Sequence, residues 1–173
     1  YMLKRYITTL IGIVLSLTAN SQTLTVSQLE SQWHNLYLKG CKLLESDEYD
    51  AAEESVNKSI ELLVSNDASN SKYHIYALIK LGEIYYQGKD KVKLESCINQ
   101  LESVKQFIRP GSKRYIDYLY HAGIYYSYIN RIPDAIQKFN EALGCTETLM
   151  KMEGFNSKLL HELSLCQYKL GNI

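Results

Sequence analysis

The sequence is short of the features that most quickly reveal chemistry. It has no charge excess, because 19 Lys and Arg balance 19 Asp and Glu among 173 residues. A nucleic-acid binder carries a basic face for the phosphates, so that class is excluded, as are an acidic tail and a polybasic membrane patch. Only two prolines occur, Pro110 and Pro133, and both fall in polar breaks. The four cysteines and four histidines form no Cys-x2-Cys or His-x3-His pair, which leaves no zinc framework. There is no glycine-rich phosphate loop and no Gly-x-Ser-x-Gly. No stretch alternates apolar and polar residues for long enough to make a strand. With 46% hydrophobic and 22% charged residues the chain still has material for a core, so wholesale disorder is excluded too. What it has in excess is tyrosine, with fifteen residues.

One uncharged apolar run stands near the start. Tyr1-Met2-Leu3-Lys4-Arg5 precedes Tyr6 to Ala19, which holds no charge, and then Asn20-Ser21-Gln22. The run is shorter than the about 20 residues that span a bilayer. A short basic region, an apolar run and a small-residue exit predict a secretory signal peptide over residues 1–21. The bland alternative is an uncleaved anchor or a buried helix. No cysteine follows until Cys41, which argues against a lipoprotein anchor. Removal of the segment leaves 152 residues with 17 basic and 19 acidic side chains, net −2. The protein is therefore expected to be exported, to a periplasm or beyond. Tyr1 precedes Met2 and the chain stops inside a repeat, so a longer reading frame is expected.

Residues 22–173 form a repeated array. Apolar residues at helical spacing are separated by breaks around residues 45–48, 65–70, 87–90, 109–112, 130–133 and 152–154, each with the Gly, Pro, Asn, Asp or Ser that ends or caps a helix. Pro133-Asp134 suits a helix first turn, where proline loses no useful N–H. The expected fold is all-α, with helices over about 26–45, 48–64, 71–87, 90–108, 112–129, 133–150 and 155–171. They fall into pairs with boundaries at 26–66, 70–108 and 112–150, and a half repeat at 155–173. First helices align Gly40, Gly82, Gly123 and Ser164, which follow one another at 42, 41 and 41 residues. A regular period of this size marks a solenoid.

Leu78-x-x-Leu81-Gly82-x-x-Tyr85 and Leu119-x-x-Ala122-Gly123-x-x-Tyr126 on first helices, with Ala135, Phe139 and Ala142 on a second helix, resemble the tetratricopeptide repeat (TPR) family. Ala52 begins the equivalent second helix of the first repeat. The second repeat departs from the pattern, placing Leu94, Ile98 and Leu101 where the family prefers alanine and an aromatic. The long period is similar to repeats of kinesin light chains and of bacterial arrays linked to caspase-like (CHAT) peptidases. The resemblance implies a right-handed superhelix of antiparallel helix pairs. Gly40, Gly82 and Gly123 are then expected where the helices of a pair cross, and Tyr85, Tyr126 and Phe139 between neighbouring pairs.

Chemistry-bearing residues are sparse. His34, His74, His121 and His161 are read as surface or groove histidines. Of Cys41, Cys97, Cys145 and Cys166, only Cys145 and Cys166 sit on neighbouring helices, leaving either one bridge there or four free thiols. Glu53-Glu54 is read as a solvated face, and Lys89, Lys91 and Lys93 as too short and mixed for a nucleic-acid patch. No catalytic constellation, metal site or cofactor is implied within these residues.

In TPR arrays the first helices line a concave, ligand-bearing side. Projection onto this sequence gives His34, Tyr37, Cys41 and Leu44, then Tyr76, Ile79, Glu83, Tyr86 and Gln87, then Asp117, Tyr120, Ile124, Ser127 and Tyr128. TPR domains that hold acidic chaperone C-termini carry Lys, Asn and Arg there, so that activity does not transfer to Tyr37, Cys41, Ile79, Glu83, Tyr120 and Ile124. The expected function is an exported scaffold that binds a protein or peptide, with no nucleic acid and no membrane contact beyond the signal peptide. The alternatives are the recognition part of a longer enzyme with a caspase-like peptidase downstream, or the periplasmic sensor region of a signalling protein.

Overall fold

A computed structural model describes residues 24–153 and 157–173. Its elements are all helical: α1 (Val26–Glu45), α2 (Tyr49–Ser65), α3 (Lys72–Gln87), α4 (Lys91–Val104) running into a short 3-10 turn (Lys105–Phe107), α5 (Lys113–Tyr128), α6 (Ile132–Glu153) and α7 (Ser157–Gly171). The all-α expectation holds, and the ends agree within three residues except at α4, which tightens into the 3-10 turn. The expected signal peptide lies outside the described residues, as does the break at Gly154.

Local chemistry sets the helix starts. Ser71 and Ser112, one period apart, accept the backbone N–H groups of His74 and Tyr115 at 3.4 and 3.2 Å. Asp90 does the same for Lys93 at 2.9 Å. Thr25 and Gln28 cap each other reciprocally at the head of α1. Each cap satisfies an N–H that the first turn of a helix leaves without an internal partner.

The turns within pairs repeat in backbone detail. Asp47, Lys89 and Asn130 stand one period apart with φ of 58°, 61° and 68°. After each, an N–H reaches back to the same carbonyl of the preceding helix: Glu48 to Leu43, Asp90 to Tyr85 and Arg131 to Tyr126, at 2.9, 2.9 and 2.8 Å. This is the left-handed helix stop that glycine normally fills. Aspartate and asparagine tolerate it through their short polar side chains; Lys89 does not share that advantage.

Helices pack on their neighbours in sequence, and α1 and α5 each also touch α3. The α1–α2 and α5–α6 pairs are the most closely packed, and α3–α4 is looser. In the tight pairs a glycine meets the partner helix. A Cβ on Gly40 would lie 2.6 Å from Val56 Cγ2, and one on Gly123 2.7 Å from Phe139 Cε1. Ala52, Ala135 and Ala142 are fully buried opposite. Gly82 departs from its expected role. Its missing side chain makes room for the ring of Tyr125, from the next repeat, and not for its own pair partner α4. On α4 the positions equivalent to Ala135, Phe139 and Ala142 hold Leu94, Ile98 and Leu101, all buried. These larger side chains fill the α3–α4 seam without a glycine notch.

Phe139 also corrects an expectation: it is wholly buried beneath Gly123 within its own pair, not between pairs. Tyr85 and Tyr126 are buried and do bridge repeats. Their hydroxyls donate to Glu53 of α2 at 3.0 Å and to Glu102 of α4 at 3.2 Å. Glu53 is consequently not a solvated acid, since it also pairs with Lys93 at 2.8 Å.

Candidate binding groove

The projected groove residues lie on α1, α3 and α5, which the fold sets side by side. Tyr37 and Cys41, one helical turn apart on α1, interact with each other and face Glu83 and Tyr76 of α3. Lys80 joins this patch, binding Glu83 at 2.5 Å and acting on Cys41. Burial, with Cys41 and Glu83 nearby, holds the Tyr37 phenol protonated far above neutral pH.

A second patch continues from the end of α3 onto α5. Tyr86 meets Tyr128 edge-on, centroids 5.0 Å apart, and Tyr120 lies within electrostatic reach of Tyr86. Tyr120 also leans edge-on against His121 and Phe139. Lys91 sits 5.0 Å above the Tyr128 ring. Tyr37, Tyr76, Tyr86, Tyr120 and Tyr128 are each half-buried, as are Cys41, Glu83, Asp117, Ile124 and Ser127. The five rings are thus braced by the fold while keeping part of their surface in water.

Four projected residues fall outside this surface. Ile79 is only 7% exposed, because Tyr125 packs across it and donates its hydroxyl to the Ile79 carbonyl at 2.7 Å. Leu44 is likewise core. His34 is exposed at the edge, in a small cleft with Glu30 and Tyr73. Gln87 is exposed beyond the second patch. Among the other histidines, His161 is exposed, and the Nδ1–H of half-buried His121 donates to the Asp117 carbonyl at 2.8 Å. His74 is not a surface residue: it is buried and bonds through Nδ1 to the Ser69 carbonyl at 2.7 Å, closing the α2–α3 connection.

The sequence pattern passed over Trp33 and Tyr125. Trp33 is 5% exposed and stacks on Tyr37 at 4.8 Å, with Tyr73 tilted against it at 4.7 Å. It stands one period before Ile75 and two before Ile116, both buried, and that register is the signal that finds it. Tyr125, 1% exposed, adjoins both patches: its ring lies 6.5 Å from that of Tyr86, and burial, with Glu83 and Tyr37 nearby, holds its phenol protonated.

The cysteines are all free thiols, which settles Cys145 and Cys166 as unbridged. Burial raises the thiols of Cys41 and Cys145, and pushes Cys97 up to about 12. A thiol is nucleophilic as the thiolate, so these positions are poor nucleophiles at neutral pH. No group of His, Cys, Asp or Glu among the described residues is arranged to hold a metal ion. The described surface therefore offers contact, hydrogen bonding and aromatic area.

Comparison with family models, with curated proteins and with solved structures gives no match.

Proposed function

We propose that this chain is an exported, TPR-type helical-repeat module that captures a protein or peptide partner along the α1–α3–α5 face. The observation that carries the reading is the row of five half-buried tyrosines shared by three successive first helices. Tyrosine gives large contact area with few rotors and a polar tip. Rings already held by packing lose little further freedom when a partner lands, which lowers the entropic cost of binding. The repeat period, the small residues at pair crossings and the recurrent left-handed turns support the TPR-type array. The basic-then-apolar segment over residues 1–21 supports export. No helix among the described residues is long and apolar enough to cross a membrane.

Photo-crosslinking tests the face. With p-benzoylphenylalanine replacing Tyr37 or Tyr120, both positions are expected to capture one common partner from the cells that make the protein. The same label at Asn99, exposed on α4, is expected to capture none. Crosslinks from Asn99 alone, or different partners from Tyr37 and Tyr120, overturn the reading.

A further inference from the structure

A cavity of about 980 Å³ opens beside the groove, between the α4–α5 connection, the start of α5 and the last turns of α6. It is lined by Arg109, Lys113 and Arg114 on one side and by Glu141, Cys145 and Leu149 on the other. Tyr76 is the one groove residue it shares.

Its lining is rich in cations. In a chain of zero net charge, three basic side chains and one acidic one meet around this space among the described residues, with Lys113 already engaged elsewhere. The acid is engaged, because Glu141 accepts the Tyr115 hydroxyl. No carboxylate among the described residues pairs with Arg109 or Arg114. Arg114 rests over the Tyr76 ring, 5.8 Å from its centroid, and its buried Nε has no hydrogen-bond partner. Guanidinium is the side chain best shaped to take a carboxylate through two parallel N–H bonds.

The size and the apolar walls narrow the ligand. The volume is at the upper end of ligand pockets, far more than one small anion fills. Tyr76, Leu149 and Met152 offer apolar surface around the cations. Gly111 and Gly144 leave open space, with no atom within 4 Å of where a Cβ would stand.

We infer that this cavity is an anchoring site for an acidic peptide segment, whose carboxylates meet Arg109 and Arg114 while its apolar side chains lie on Tyr76, Leu149 and Met152. The inference rests on the reading of the chain as a binding module, but it uses the α4–α5 connection and a second helix, and shares only Tyr76 with the tyrosine face. Occupation of both places would let one extended ligand pass from the tyrosine face over Tyr76 into the cavity.

The test uses the full chain and a fluorescein-labelled hexapeptide alternating Glu and Leu, followed by anisotropy. The probe is expected to bind, to weaken with added salt, and to bind at least tenfold less well to Arg109→Gln/Arg114→Gln. Gly144→Phe, which fills the cavity without touching a charge, is expected to weaken it similarly. The probe is also expected to slow alkylation of Cys145 and not of Cys41. Tyr120→Ala should leave probe affinity within about twofold. Equal binding of a Lys–Leu hexapeptide, full competition by millimolar inorganic phosphate, no probe binding, or unchanged affinity in both cavity variants overturns the inference. Loss in Tyr120→Ala alone overturns it while leaving the tyrosine-face reading intact. Failure of the crosslinks with the cavity results as expected does the reverse.

Discussion

The first and third repeats close their helix pairs on small residues, and the middle repeat does not. In α1–α2 and α5–α6 a glycine faces Val56 or Phe139, with buried alanines beside it. In α3–α4 the equivalent positions are Leu94, Ile98 and Leu101, and the glycine of that repeat receives Tyr125 from the following one. The same fold position is solved in two ways. One brings backbones close and locks the pair upon itself. The other fills the seam with aliphatic volume and spends the notch on the neighbour. The middle repeat is thus tied more strongly along the array than across its own pair, and Tyr125, the ring that makes that tie, also adjoins both patches of the tyrosine groove.

Substitutions that exchange the two solutions break the comparison most severely. Ala135→Arg forces an unpaired charge into a fully buried crossing and is expected to cost about 4 kcal/mol, seen as lost protection of α5 and α6 in hydrogen exchange. Leu94→Ala, which imposes the alanine solution on the middle repeat, should leave a void and cost about 3 kcal/mol in urea unfolding. The reverse change, Ala135→Leu, should overpack the third repeat by about 2 kcal/mol in the same measurement. If both exchanges prove neutral, the two seams are interchangeable and the contrast between them has no energetic content.

A pH titration sharpens the contrast between seams. On the outer side of the α4–α5–α6 junction, Lys138 is 8% exposed and bonds Glu102 at 2.6 Å and the Tyr118 hydroxyl at 2.9 Å. Burial opposes ionisation of Glu102, but Lys138, Tyr118 and Tyr126 outweigh it and hold the carboxyl below its ordinary value of 4.5. A folded-state pKa below the unfolded one means a contribution fully present above 4.5 and lost as pH falls through the lower, folded value. Since the Glu102 side chain is about a third exposed, solvent screening limits the effect to about 1 kcal/mol. Glu102→Gln should flatten that part of the stability-against-pH curve. The smallest effect concerns the turns: Lys89→Gly relieves a left-handed lysine and should stabilise by about 0.5 kcal/mol, as a small rise in the urea midpoint.

Helix number, pairing and the buried small residues were legible because a solenoid-like period repeats its chemistry. Gly40, Gly123, Ala135 and Ala142 could be placed from spacing together with the family resemblance. The partner of Gly82 was not, because a glycine announces that something comes close without saying what. The departure at Leu94, Ile98 and Leu101 was visible in the sequence, but its effect on the neighbouring repeat needs three dimensions. Tyr37, Ile79 and Tyr120 share one repeat position on first helices, and Tyr37 and Tyr120 stand half-buried where that position places them. Ile79 was misplaced because the helical register puts it on the groove side, whereas Tyr125 reaches across from another repeat and covers it. His74 was misplaced because a histidine pattern carries no sign of a nearby loop carbonyl. The cationic cavity left no motif at all, since Tyr76, Arg109, Arg114 and Glu141 come from three separate segments.

The turns at Asp47, Lys89 and Asn130 have a mechanical consequence. Each is closed by a bond back to the end of its own first helix, at Leu43, Tyr85 or Tyr126. A chain stretched from its two ends would therefore yield in discrete steps, one helical hairpin at a time. Each step of 41 or 42 residues would release about 140 Å of extended chain. Under load the molecule would behave as a short row of clasps in which an opened clasp also frees the tyrosine ties to its neighbour.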